Sequence, residues 1–149
     1  MAATEPADVR RPGDRGHTLG ALHALFGAFP LAYFLLAFLT DIAYSQSYNL
    51  QWQYFSIWLI VAGLIMGSFA ILFGGIEWLV RRRTAHRYGG LHILLALVAW
   101  LLALLNAFIH SRDGWTAVVP EGLILSGIVA LLMLGAAIFS AFEYGRRAR

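Results

Sequence analysis

Four long apolar stretches, Leu19–Ala43, Phe55–Val80, Gly90–His110 and Glu121–Phe142, decide what this chain can fold into. Each holds about 20 residues or more, and at about 1.5 Å of rise per residue some 20 cross the roughly 30 Å hydrocarbon core of a bilayer. Membrane-barrel strands would instead alternate polar and apolar residues over about ten positions, a pattern this chain lacks. A composition that is 60% hydrophobic and 13% charged agrees with residence in a membrane. The expected fold is therefore an all-α integral membrane protein, with four transmembrane helices arranged as two tandem helical hairpins. Residues 1–18 read as a mobile cytoplasmic arm, 19–145 as the transmembrane domain and 146–149 as a basic cytoplasmic tail. The apolar run after the arm is too long for a signal peptide.

Charge supplies the orientation. All 11 basic residues are arginines, and ten of them flank the first span, fill the middle loop or close the chain. Only Arg112 belongs to the other side. This asymmetry places both termini and the middle loop on the cytoplasmic side, where the arginines meet the lipid bilayer's headgroups. The same distribution argues against nucleic acid as a partner. With no cysteine in the chain, disulfides, thiolate metal sites, iron–sulfur clusters and covalent c-type haem are excluded.

Within the spans, a few polar residues recur at helical spacing. His23 and Asp41 in the first span are 18 positions apart, as are His92 and His110 in the third. Eighteen residues make about five turns, so each pair shares one helix face and is separated by roughly 27 Å of helix. Asn106 lies on the third-span stripe and calls for an interhelical hydrogen bond. Glu77 and Glu143 close the second and fourth spans. Pro30 interrupts the first span near its middle, where a kink is expected. Gly63 and Gly67 form a GxxxG that brings two helices close, either within the chain or in a homo-oligomer.

An internal repeat relates these features. A shift of 69 carries Gly20-Ala21-Leu22-His23 onto Gly89-Gly90-Leu91-His92, and Asp41 onto His110. A shift of 66 carries Phe73, Glu77 and Trp78 onto Phe139, Glu143 and Tyr144. Parallel repeats in membranes are related by an axis along the bilayer normal. That symmetry puts His23, His92, Glu77 and Glu143 in one cytoplasmic layer, and Asp41 with His110 in a second, outer layer.

Ionisable groups in a span are costly, which makes these layers the candidate sites. One reading is an accessory or assembly component, its helices pinned by a buried His/Glu site near the cytoplasmic face. Another is a b-type haem held by His23 and His92 as axial ligands, in an electron-transfer subunit with a redox partner protein. A His/His/Glu metal centre and a small proton or ion pathway ending at Asp41 and His110 are further alternatives. No nucleophile motif accompanies the histidines, so an enzyme is the less favoured class.

His23 followed by Phe29-Pro30 and Asp41, the Gly74, Glu77 and Trp78 set, and His92 opening the third span resemble one known family. It is the family of bacterial four-helix membrane proteins catalogued as domain of unknown function 2231, over about Gly20–Arg147. Members commonly open the first helix with His-Pro and carry a second histidine before Phe-Pro, where this chain has Ala24 and Ala28. The resemblance implies a multi-pass inner-membrane protein of unestablished activity, whose relatives are sometimes joined to or encoded beside electron-transfer domains.

Overall fold

A computed structural model describes residues 12–80, 89–112 and 114–147 of the chain. Four helices carry almost all of them: α1 (Pro12–Ser47), α2 (Leu50–Val80), α3 (Gly89–His110) and α4 (Glu121–Arg147). Each is long and apolar enough to cross a membrane. The helices run alternately up and down. α1 pairs with α2 and α3 with α4, and the α1–α4 and α2–α3 seams close the ring, which leaves α1 and α3 on one diagonal.

The helices run further than hydrophobicity alone indicates. α1 is already helical from Pro12, inside the stretch read as an arm, and α2 starts at Leu50 instead of Phe55. Only Tyr48 and Asn49 separate the first two helices. Tyr48 takes a φ of 56°, the left-handed conformation that ends a helix. The Asn49 side chain then caps α2 by accepting the backbone N–H of Gln51 at 3.0 Å. The second turn contains a short 3-10 helix, Gly114–Ala117, and a cis Val119–Pro120 bond.

Large apolar side chains point outward, as lipid contact requires. Trp58, Leu131, Phe108 and Phe142 are each exposed by two thirds or more of their surface. The interior is instead built largely from small residues (Ala37, Ala99, Ala103, Ala130 and Ala136), with the ring of Phe34 among them. With hydrocarbon outside, helices gain little from the hydrophobic effect between them and depend on close packing, which small residues permit.

The two glycines offered for self-association do this packing inside the chain. A Cβ on Gly63 would sit 2.5 Å from the Phe34 ring, and one on Gly67 would sit 2.9 Å from Trp100. Trp100 also donates its indole N–H to the Leu64 carbonyl at 3.1 Å, tying α3 to α2. Gly63 and Gly67 therefore form intramolecular seams, and no self-association follows from them. Gly63→Val should force the Phe34 ring out of its seat and destabilise the fold by about 1–3 kcal/mol. Thermal unfolding in detergent measures it, with Ile65→Val on the lipid face as the near-neutral control.

Candidate functional site

The apolar core divides the interior into two polar layers. Phe34, Ala99, Ala103 and Val129 cluster between them, with Leu64, Leu102, Leu132 and Met133 packed around. Each layer lies where α1 and α3 approach across the diagonal.

The layer at the arginine-flanked end contains His23 and His92. Their ring centroids are 6.4 Å apart and their planes are crossed at 89°. His23 Nδ1 lies 2.9 Å from the Ala70 carbonyl on α2, and His92 Nδ1 lies 3.0 Å from the Ala136 carbonyl on α4. A carbonyl only accepts, so each Nδ1 carries a proton and donates it. The two contacts are images of one another under the repeat. His23 maps to His92 by the shift of 69, and Ala70 to Ala136 by the shift of 66. The internal repeat is thus present in the hydrogen bonds as well as in the letters.

Close approach by His23 depends on Gly74, where a Cβ would lie 2.8 Å from His23 Nδ1. Three residues further along α2, the Glu77 carboxylate lies against Gly20, with Oε1 3.0 Å from where a Cβ would be. The Glu143 side chain lies outside the described residues. Among the described residues no group of three or more histidines, cysteines and carboxylates could hold a metal ion, so a His/His/Glu centre finds no third ligand there.

The second layer joins Asp41 to His110, as the shift of 69 predicts. His110 Nε2 and Asp41 Oδ1 are 3.0 Å apart, with both side chains fully buried. His110 Nδ1 donates to the Asn106 carbonyl at 3.0 Å, which fixes one proton on that nitrogen. A single further proton is then shared between Nε2 and Oδ1. Whether it sits on the ring or on the carboxyl group, the pair is neutral as a unit, the condition for complete burial.

A directed chain completes this layer. Asn106 Nδ2 donates to Ser126 Oγ at 2.8 Å, and Ser126 Oγ donates to Asp41 Oδ2. Asn106 thereby finds the interhelical partner its place in an apolar span calls for. Serine, histidine and aspartate do meet here, but the hydroxyl addresses the carboxylate and both imidazole nitrogens are engaged elsewhere. No base is left to activate the serine, so the arrangement is not that of a nucleophilic triad. The helices approach closely enough because Gly122, whose Cβ would meet His110 Cε1 at 2.9 Å, leaves room for the ring.

Sequence reasoning found His23, His92, Asp41, His110 and Asn106. It did not anticipate Gly74 against His23, the Ser126 link or the tie from Trp100. The carbonyls of Ala70 and Ala136 leave no trace in residue identity, because every residue has one.

Taken together, four membrane-length helices around a buried Asp41–His110 pair and a part-buried histidine pair define a small multi-pass helical membrane protein. The chain belongs to the family of predicted membrane proteins DUF2231, which matches residues 19–142. No curated protein and no solved structure matches it.

Proposed function

We propose that this protein binds one b-type haem between His23 and His92 and serves as an electron-transfer component of the bacterial cytoplasmic membrane, its arginine-flanked end inside. The observation that carries this reading is the pair of imidazoles facing each other across the bundle, each with its Nδ1–H held by a backbone carbonyl.

The donor set fits the group on three counts. With a metal–imidazole bond of about 2 Å, two trans imidazoles hold their ring centroids roughly 6 Å apart, close to the 6.4 Å found here. Metal-ligating histidines characteristically donate their other ring N–H to a carbonyl or carboxylate, which fixes the tautomer and aims the second nitrogen. Lastly, a Cβ on Gly27, one turn beyond His23 on α1, would meet nothing within 4 Å. That is room which a flat macrocycle needs.

Haem supplies one-electron chemistry, and the chain's own groups would hold and tune it. His23 and His92 would hold the haem iron. The Ala70 and Ala136 carbonyls orient the rings. Gly74 lets the His23 ring approach α2. A proton or ion pathway is the weaker reading, because Phe34, Ala99, Ala103 and Val129 separate the two polar layers.

Titrating the detergent-purified protein with haemin tests the proposal. A Soret band should grow and saturate at one haem per chain, and His23→Ala combined with His92→Ala should remove it. Absence of any saturable band in the wild-type protein would end the reading.

A further inference from the structure

At the end remote from the arginine clusters, a groove of about 520 Å³ opens between α2 and the end of α3. Its α2 wall is one helical stripe of Leu50, Gln53, Tyr54 and Ile57, and its other wall is Ser111 and Arg112. The buried His110 forms the floor. Leu50 and Tyr54 are each more than half exposed, so the apolar wall runs out onto the lipid-facing surface.

Two polar features point to the occupant. Gln53 Oε1, on the groove-lining Gln53, is buried and has no hydrogen-bond partner among the described residues, an acceptor that calls for a donor. Arg112 pairs with Glu121, but both side chains are more than half exposed. An exposed pair of this kind is weakly held, and a guanidinium has five N–H donors, so Arg112 retains several for an incoming oxyanion. Arg112 is also the only basic residue the chain places at this end.

We infer that the groove binds a phospholipid whose phosphodiester bears a hydroxylated headgroup, the chemistry of phosphatidylglycerol. The phosphodiester oxygens accept from Arg112, a headgroup hydroxyl donates to Gln53 Oε1, and an acyl chain follows Leu50 and Ile57 out to the bilayer. Phosphate groups and arginine form strong charge-assisted hydrogen bonds, which become stronger next to apolar walls. Glu121 is a competitor for the same guanidinium, and the sign of its effect is therefore fixed.

Native mass spectrometry of the full-length protein in detergent, with lipid added, tests the site independently of haem. Phosphatidylglycerol should bind at least ten-fold more tightly than phosphatidylcholine, which has the phosphodiester but lacks the hydroxyls. Gln53→Leu should remove that preference, Arg112→Gln should weaken both lipids several-fold because both carry the phosphodiester, and Glu121→Gln should strengthen phosphatidylglycerol binding several-fold. Free glycerol phosphate should not compete at matched concentration, because it lacks the chains. Equal binding of the two lipids, unweakened lipid binding in Arg112→Gln, or competition by glycerol phosphate would each overturn the inference. All three substitutions fall on α2 or at the surface, outside the two polar pairs, so a folding defect is not expected, and the melting temperature of each variant verifies this.

Discussion

Asp41→Ala should cost the protein about 3–5 kcal/mol of stability, the range for removing one member of a buried ionic pair. The carboxylate is the acceptor for Ser126 and the partner of His110, and all three side chains are buried. Removing it strands a hydroxyl proton and an imidazole nitrogen in a region that water does not reach. Asp41→Asn should be far milder, within about 1–2 kcal/mol, because a carboxamide can replace both contacts. Its Oδ1 accepts from Ser126, and its Nδ2–H donates to the Nε2 lone pair of a neutral His110.

The repeat adds a sharper test of the same pair. Asp41 and His110 occupy equivalent positions, so exchanging them leaves one carboxylate and one imidazole facing across the axis. The double variant Asp41→His, His110→Asp should be more stable than either single exchange, each of which sets two like groups against one another. Unfolding in a denaturing detergent measures all of these variants. An Asp41→Ala protein as stable as the wild type would show that the pair contributes nothing. A double exchange no better than its parents would remove the axial relation between the two positions.

The second large effect concerns His23 and His92, where the loss is spectroscopic and stability changes little. Each imidazole makes one hydrogen bond to a carbonyl, worth about 1 kcal/mol net, so His23→Ala and His92→Ala should both leave a folded bundle. On the proposed reading either substitution would remove one of the two haem-holding donors and should convert a low-spin haem spectrum to a high-spin one. Gly74→Val should act in the same direction without touching a donor, since its side chain would occupy the place of the His23 ring. Asp41→Asn, on the far side of the Phe34 core, should leave the haem spectrum as it is in the wild type. A variant set in which the Asp41 substitution alters the spectrum and the histidine substitutions do not would reverse the assignment of the two layers.

Much of this architecture is legible in the letters because a bilayer imposes few solutions. Span length, the absence of alternation and the arginine asymmetry each follow from a single physical constraint. The pairing of Asp41 with His110 is legible as well, since a shift of 69 already relates the two positions and a symmetry axis brings related positions together. Hydropathy is less informative at the ends of helices. Past the apolar run, residues such as Gln46, Gln51 and Gln53 continue the helices by backbone hydrogen bonding, so the Ala43–Tyr54 stretch contains only two non-helical residues. The GxxxG at Gly63 and Gly67 states that something packs closely, and its letters do not name the partner. Phe34 and Trp100 are that partner, and finding them takes the rotation of α1 and α3, which no local pattern encodes. Ser126 illustrates the same limit, because a small hydroxyl in an apolar helix is ordinary until Asp41 is known to face it.

The central claim is that two crossed imidazoles on α1 and α3 hold one haem. Low-temperature electron paramagnetic resonance of the ferric, haem-loaded protein tests it most directly. Axial imidazole planes crossed at 89° should give a strongly anisotropic low-spin signal dominated by one large g value. His23→Ala and His92→Ala should each replace that signal with a high-spin one. A haem-loaded protein that gives the same spectrum with both histidines replaced by alanine would contradict the account.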